Sequence, residues 1–262
     1  MVFDDAPGRE AVAKLPIRMP SHCLAGGKQR FSTPSAPAAA ARASHGHELV
    51  PAADGLIGFA RQHTLASAVA LERCHHGVLD AIARPEVHLA VWRRALPSDL
   101  AWLASLDWGK IDDLHLETTI AAVDRDVTEA LADAGYPADA RGDALLDEIA
   151  GHARCVAAIL KLDTVSIRLE VIQTDACRKF HADYVTARLL TTLVGSGTQW
   201  IHGVEAPDTP IRQMQPGDVG IFKGRLAADP PAILHRSPPI GANGETRLLL
   251  AIDPAPARSS NE

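Results

Sequence analysis

The segment Cys177-Arg178-Lys179-Phe180-His181-Ala182-Asp183 is the densest run of ligating and charged side chains in the sequence. Side chains at i and i+2 of an extended chain point to the same face, so His181 and Asp183 project together as an imidazole and a carboxylate. A third ligand from a neighbouring strand would complete a facial set and leave other coordination positions open. His235, in the short apolar run Ile233-Leu234-His235, is the natural third member. Arg247, within Glu245-Thr246-Arg247-Leu248-Leu249-Leu250, falls on the last predicted strand. A buried guanidinium there can grip a carboxylate through two parallel bonds. H-x-D alone is a weak pattern; its weight comes from the later strand His and the last-strand Arg.

Other candidates surround this set. Cys177 has the strand parity of His181 but lies about 13 Å away along a regular strand, so it joins the site only if residues 178–180 bulge. A Cys/His/Asp/His set would then suit zinc, because thiolate favours that ion; otherwise Cys177 is a small packed residue. His202, just past Trp200 near a loop, is a candidate outer contact, and Ser237, with the parity of His235, a candidate hydrogen-bonding neighbour of the ligands. Arg188 has the parity of Tyr184 and Thr186, opposite to Asp183. That predicts that it faces away from the metal and pairs with an acid such as Glu170. Lys223 is expected in solvent. His75-His76 beside Cys74 is a poor preformed site, because adjacent helical residues do not share a face; it reads as a helix end. His45-x-His47 lies in a Ser/Ala/Pro-rich stretch and is expected to be solvated.

The elements that must position these groups divide the chain. Residues 1–50 carry Pro34, Pro37 and an alanine run without apolar periodicity, which predicts a flexible lead-in. Residues 51–161 read as mainly helical. Apolar stripes run through Leu56, Phe59, His63, Ala66, Val69 and Ala70, through Leu100, Leu103 and Leu106 after Ser98-Asp99, through Ile120, Val123, Val127 and Leu131, and through Leu145, Ile149, His152, Val156 and Ile159. His152 is expected to be a satisfied core histidine. Val87–Trp92 is the exception and reads as a strand. From 162 to 255 the texture is β: Val165, Ile167, Leu169 and Val171 alternate with polar residues, and short runs at 185–194, 198–201, 219–222, 233–235 and 246–252 are separated by turn signals. Short strands with regular turns predict a jelly-roll sandwich or barrel. Residues 256–262 are a tail.

Composition excludes several functions. The 262 residues carry 26 Lys and Arg against 32 Asp and Glu, a net charge of −6, which argues against a broadly basic nucleic-acid surface. Only 4% are aromatic, too few for a base-stacking platform. No run approaches the roughly 20 apolar residues of a membrane span, and the acidic start lacks the apolar segment of a secretory signal. Cys23, Cys74, Cys155 and Cys177 are too dispersed for a disulfide scaffold, so a cytoplasmic setting is expected. Walker A, GxGxxG, GxSxG and HExxH patterns are absent from the sequence.

The β-rich half resembles the Fe(II)- and 2-oxoglutarate-dependent oxygenases over about 165–253, through the H-x-D of His181 and Asp183, the distal His235 and Arg247 beyond it. The resemblance implies a double-stranded β-helix, Fe(II) on His181, Asp183 and His235, and Arg247 on the distal carboxylate of 2-oxoglutarate. The sequence departs at Leu249, where that family usually has Ser or Thr. A second resemblance covers most of the chain after residue 70, through Val87–Arg93, Cys177-x-x-Phe180-His181-x-Asp183, Gly195-x-Gly197-Thr198-x-Trp200, Gly217–Gly224, His235–Pro239 and Gly244–Leu250. It is to a bacterial family known as domain of unknown function 1826, and it implies a connection with zinc homeostasis. The resulting expectation is an α+β fold, with a helical N-terminal half packed on a C-terminal double-stranded β-helix, jelly-roll and cupin-like. The leading function is an Fe(II)-dependent oxygenase using 2-oxoglutarate; the alternative is a non-catalytic zinc-binding protein. A cupin-like metal hydrolase or isomerase and a metal-free binding scaffold complete the alternatives. The partner implied is a small-molecule or protein substrate, without nucleic acid or membrane, and a homodimer is compatible with it.

Overall fold

The computed structural model describes residues 69–240 and 244–256. The strands are β1 (Val69–Arg73), β2 (Val87–Trp92), β3 (Leu114–Thr119), β4 (Thr164–Ile172), β5 (Ala187–Val194), β6 (Gln199–His202), β7 (Arg212–Gln213), β8 (Val219–Lys223), β9 (Ile233–Arg236) and β10 (Arg247–Pro254). The α-helices are α1 (Val123–Asp133) and α2 (Ala140–Leu160), and 3₁₀ helices cover His76–Ala83, Ser98–Ser105 and Trp108–Lys110.

The strands form a mixed seven-stranded sheet, ordered β1-β2-β8-β5-β10-β4-β3, and a three-stranded sheet, ordered β7-β6-β9. An isolated bridge from His181 to His235 extends the small sheet beyond β9. From β4 onward the chain shuttles between sheets: β4, β5, β8 and β10 go to the large one, and the His181 segment, β6, β7 and β9 to the small one.

Strand alternation gives the large sheet two different faces. Val165, Ile167 and Leu169 of β4, Leu189 of β5, and Leu248, Leu250 and Ile252 of β10 pack with Val127 and Leu131 of α1 and Leu145, Ile149 and Val156 of α2. The opposite face meets the small sheet through Leu89, Val91, Leu190, Phe222, Leu249 and Ala251, against Trp200 and Ile233. In the helices the buried residues recur three and four apart, and Asp139 caps α2 by accepting from the Arg141 backbone N–H.

The expected helical half is corrected. Residues 69–161 contain α1 and α2 where the stripes predict them, but also three strands that join the large sheet. Val69 and Ala70, read as the end of a helical stripe, begin β1, which pairs in parallel with β2. Leu114, Leu116 and Thr118 alternate as β3 along β4, a run too short to stand out by period. Leu100 and Leu103 recur at three because the segment is a 3₁₀ helix, which has three residues per turn. The 1–50 lead-in with His45, His47 and Cys23, and the stripe from Leu56 to Ala66, lie outside the described residues. No helix among the described residues is long and apolar enough to cross a membrane.

A buried ion cluster ties α2 to the large sheet. Glu148 meets Arg94, which follows β2, and lies 2.9 Å from Nε2 of His152, so this core histidine is satisfied as expected. Arg94 also donates to the Gly217 carbonyl at 2.8 Å, in the turn before β8. Burial would raise the Glu148 carboxyl, but His152 and Arg94 outweigh it and lower it from 4.5 to about 2. A carboxyl lowered in the folded state stabilises above its unfolded value and loses that contribution as pH falls through its folded value. Protonation of Glu148 should therefore contribute about 3 kcal/mol to the wild type's loss of stability between pH 4.5 and 2. Glu148→Gln should be less stable at neutral pH and lose less on acidification, as read by urea unfolding across that range.

Candidate metal centre

The centre is assembled by one backbone pairing. The His181 N–H donates to the His235 carbonyl at 3.0 Å, and the His235 N–H donates back at 2.8 Å. Reciprocal bonds of this kind set two residues directly opposite on antiparallel chains. Their rings consequently lie 4.8 Å apart, and the His235 ring also tilts on Phe222 at 4.8 Å. Asp183 comes alongside two residues after His181. Ligand atoms of His181, Asp183 and His235 lie within 4.8 Å of one another, the one such group of three among the described residues.

The electrostatics suit a cation. His181 Nδ1 is 2.9 Å from the Lys179 carbonyl, so a proton on Nδ1 leaves Nε2 bare toward the centre. His235 is buried, and burial pushes its imidazole down toward the neutral form against the pull of Asp183. The contact with Asp183 raises the His181 imidazole. Burial alone would raise the Asp183 carboxyl, but the contacts from His181 and His235 and the charge of Arg188 hold it well below the usual carboxylate range. Asp183 Oδ2 is 3.1 Å from His235 Nε2, yet it is buried and accepts no hydrogen bond. A buried anionic oxygen without a donor is costly, and a divalent ion between it and the facing imidazole nitrogens would remove that cost. Two imidazoles and one carboxylate are a donor set for Fe(II) or Zn²⁺.

Arg188 does not face away, as the strand parity predicts. Residues 183–186 are not part of β5, so parity does not carry from Asp183 into that strand. Arg188 Nη1 meets Asp183 Oδ1 at 2.7 Å, and Nε and Nη2 fork onto Asp253 of β10 at 2.5 and 2.7 Å. The expected partner Glu170 pairs instead with Arg168, at 3.2 Å.

Arg247 is fully buried on β10. Its Nε donates to the Ser196 carbonyl at 2.5 Å, Nη1 to Ser237 Oγ at 2.8 Å and Nη2 to Thr192 Oγ1 at 3.3 Å. Among the described residues it has no carboxylate in ion-pair contact. Burial lowers the guanidinium, against the pull of Glu245 and Cys177. Ser237 thus hydrogen-bonds Arg247. Leu249 has joined the core between the sheets, and hydroxyls reach Arg247 from Thr192 and Ser237. Gly195, at φ 80°, ends β5 where a Cβ would meet Arg247 Cγ at 2.9 Å.

The remaining candidates lie outside the convergent group. Cys177 is exposed; its carbonyl accepts from Ser237 N at 3.0 Å, and it lines an open cavity of about 590 Å³ with Arg178, Lys179 and His181. His202 ends β6 opposite Ile233 and is exposed. Lys223 is only partly exposed, not free in solvent, and donates to the Pro85 carbonyl at 3.0 Å. His75 and His76 open the first 3₁₀ helix. Sequence reading missed Asp253, Thr192 and Ser196. Thr192 was within reach, because it shares the inward parity of Arg188 and Leu190 on β5.

Asp183 is held by a close backbone approach. The Arg225 N–H donates to the Asp183 carbonyl at 2.8 Å, and the Gly224 N–H donates to Thr186 at 3.0 Å. A Cβ on Gly224 would lie 2.2 Å from the Val185 carbonyl oxygen and 2.8 Å from that of Asp183. Gly224→Ala is therefore expected to displace Asp183 and weaken divalent-ion binding by roughly 10-fold or more, measured by Co(II) titration of the folded variant.

The sequence matches none of the curated proteins. Similar solved structures include a dioxygenase for auxin oxidation from rice, at 13% identity and TM-score 0.41, covering 71% of this chain and 82% of that one. A dioxygenase for auxin oxidation from Arabidopsis thaliana, in complex with 2-oxoglutarate, has 11% identity and TM-score 0.40, with 71% and 92% covered. A prolyl-4-hydroxylase of Pseudomonas putida has 15% identity and TM-score 0.39, with 68% and 96% covered. A family model matches residues 73–253, so the chain belongs to the family described as a protein of unknown function, DUF1826.

Proposed function

We propose that this protein is a non-haem Fe(II)-dependent oxygenase that uses 2-oxoglutarate to hydroxylate a C–H bond of a substrate still to be identified. The observation that carries the reading is the convergence of His181, Asp183 and His235 around a buried carboxylate oxygen that accepts no hydrogen bond. The alternation of strands between two sheets supports it, since that is the winding of a double-stranded β-helix. Two His and one carboxylate with open positions is the donor set of oxygen-activating Fe(II). An iron bound there would supply activation of dioxygen, the oxidant, which would take two electrons from 2-oxoglutarate as it is decarboxylated to succinate and CO2 and two from the C–H bond that is hydroxylated.

The chain's own residues account for binding and orientation. His235 offers a nitrogen that burial keeps neutral, His181 a nitrogen that an incoming ion would take in exchange for its proton, and Asp183 an ionised oxygen. Arg247 offers a buried positive charge whose hydrogen-bond partners, Thr192, Ser196 and Ser237, are uncharged. A carboxylate on the guanidinium would complete it, since buried charges require a counter-charge. The hydroxyls of Thr192 and Ser237 stand in for the one that Leu249 does not provide. A cytoplasmic location belongs to the same reading.

The test is the visible spectrum of metal-free protein given Fe(II) and then 2-oxoglutarate under anaerobic conditions. A weak charge-transfer band should appear on adding 2-oxoglutarate and be lost in Arg247→Ala. Stoichiometric metal binding without any band would overturn the co-substrate assignment and leave non-catalytic zinc binding as the better account.

A further inference from the structure

We infer that Arg188 is a positioning residue for the centre: it holds Oδ1 of Asp183, the oxygen 3.6 Å from His181 Nε2, so that Oδ2 stays turned toward His235, and Asp253 locks it in that posture. The inference rests on the metal-dependent reading above and adds a role for two residues outside the ligand set.

Three distances carry it. Arg188 Nη1 is 2.7 Å from Asp183 Oδ1, while Nε and Nη2 are 2.5 and 2.7 Å from the two oxygens of Asp253. The guanidinium is planar, so a fork fixed on Asp253 also fixes the direction of Nη1. Asp183 has two oxygens that could turn toward an ion. With Oδ1 held by Arg188, the oxygen left facing His235 is Oδ2, which accepts no hydrogen bond. Asp253 is itself anchored, with Arg168 Nη2 at 3.4 Å and Arg168 in turn on Glu170 at 3.2 Å. The chain of charges therefore runs from β4 through β10 and β5 to Asp183. Arg188 and Asp253 also neutralise one another, so the centre gains orientation without gaining net positive charge.

A purely electrostatic role and a positioning role have opposite signs. Removing a cation beside the centre, and leaving Asp253 with less to neutralise it, should strengthen binding of a divalent ion if charge alone matters. It should weaken binding if Arg188 acts by orienting Asp183. The experiment is Co(II) titration of the metal-free full-length chain, with affinity read by chelator competition and coordination read from the ligand-field bands. Arg188→Gln is expected to bind Co(II) roughly 10- to 100-fold more weakly, the usual effect of losing a partner that orients a ligand, with shifted bands. Arg188→Lys keeps the charge but cannot hold both carboxylates, and should fall between Gln and wild type. Affinity equal to or tighter than wild type in Arg188→Gln, with unaltered bands, would overturn the inference. If Arg188→Gln does not fold, Arg188→Lys decides alone: wild-type affinity and bands overturn it, and weaker binding with altered bands supports it. Failure of the wild type itself to bind Co(II) would bring down the metal reading and this inference together. Loss confined to the variants' binding separates the two.

Discussion

The central strands of the large sheet have two faces to bury, and helices α1 and α2 cover only one of them. That constraint organises the protein. The helix-facing positions of β4 and β10 are aliphatic without exception from Val165 to Leu169 and from Leu248 to Ile252, and β5 sets only Thr191 between its Leu189 and Leu193. The other face must be closed by the small sheet, which is only three strands wide. Its apolar contact, built on Trp200, Ile233, Leu190 and Phe222, occupies part of the space between the sheets. What remains is lined by charged and hydroxyl side chains from β4, β5 and β10, and there the candidate centre lies.

Buried charge in that space is almost wholly compensated within the chain. Arg188 is shared between Asp183 and Asp253, and Arg168 between Asp253 and Glu170. A buried ion left without a partner costs several kcal/mol. Two groups depart from the pattern. Asp183 keeps one oxygen without a hydrogen bond, and Arg247 is surrounded by hydroxyls and a carbonyl instead of a carboxylate. The first wants a cation and the second an anion. Their opposite demands are what separate this site from an ordinary buried ion network.

Much of this was legible in local sequence. Helices α1 and α2 follow their apolar stripes, β2 its β-branched run, and β4 a strict alternation from Val165 to Val171. His181, Asp183 and His235 could be singled out because i and i+2 share a face and Ile233-Leu234-His235 reads as a strand. The failures were non-local. β1 and β3 are short, and their identity depends on partners, β2 and β4, that pair with them only in the folded chain. Strand parity gives the wrong direction for Arg188 because residues 182–186 are irregular and β5 begins only at Ala187.

The sequence by itself determined the ligating residue types, the strand that carries His235 and the presence of a buried cation on the last strand, because these follow from side-chain chemistry and from the period of 2. Only the tertiary structure decided that Arg188 and Asp253 reach Asp183, that Ser237 serves Arg247, and that Cys177 and His202 stay outside the convergent group. Those outcomes depend on the register between strands far apart in sequence. A shift of one residue in that register would turn every inward side chain outward.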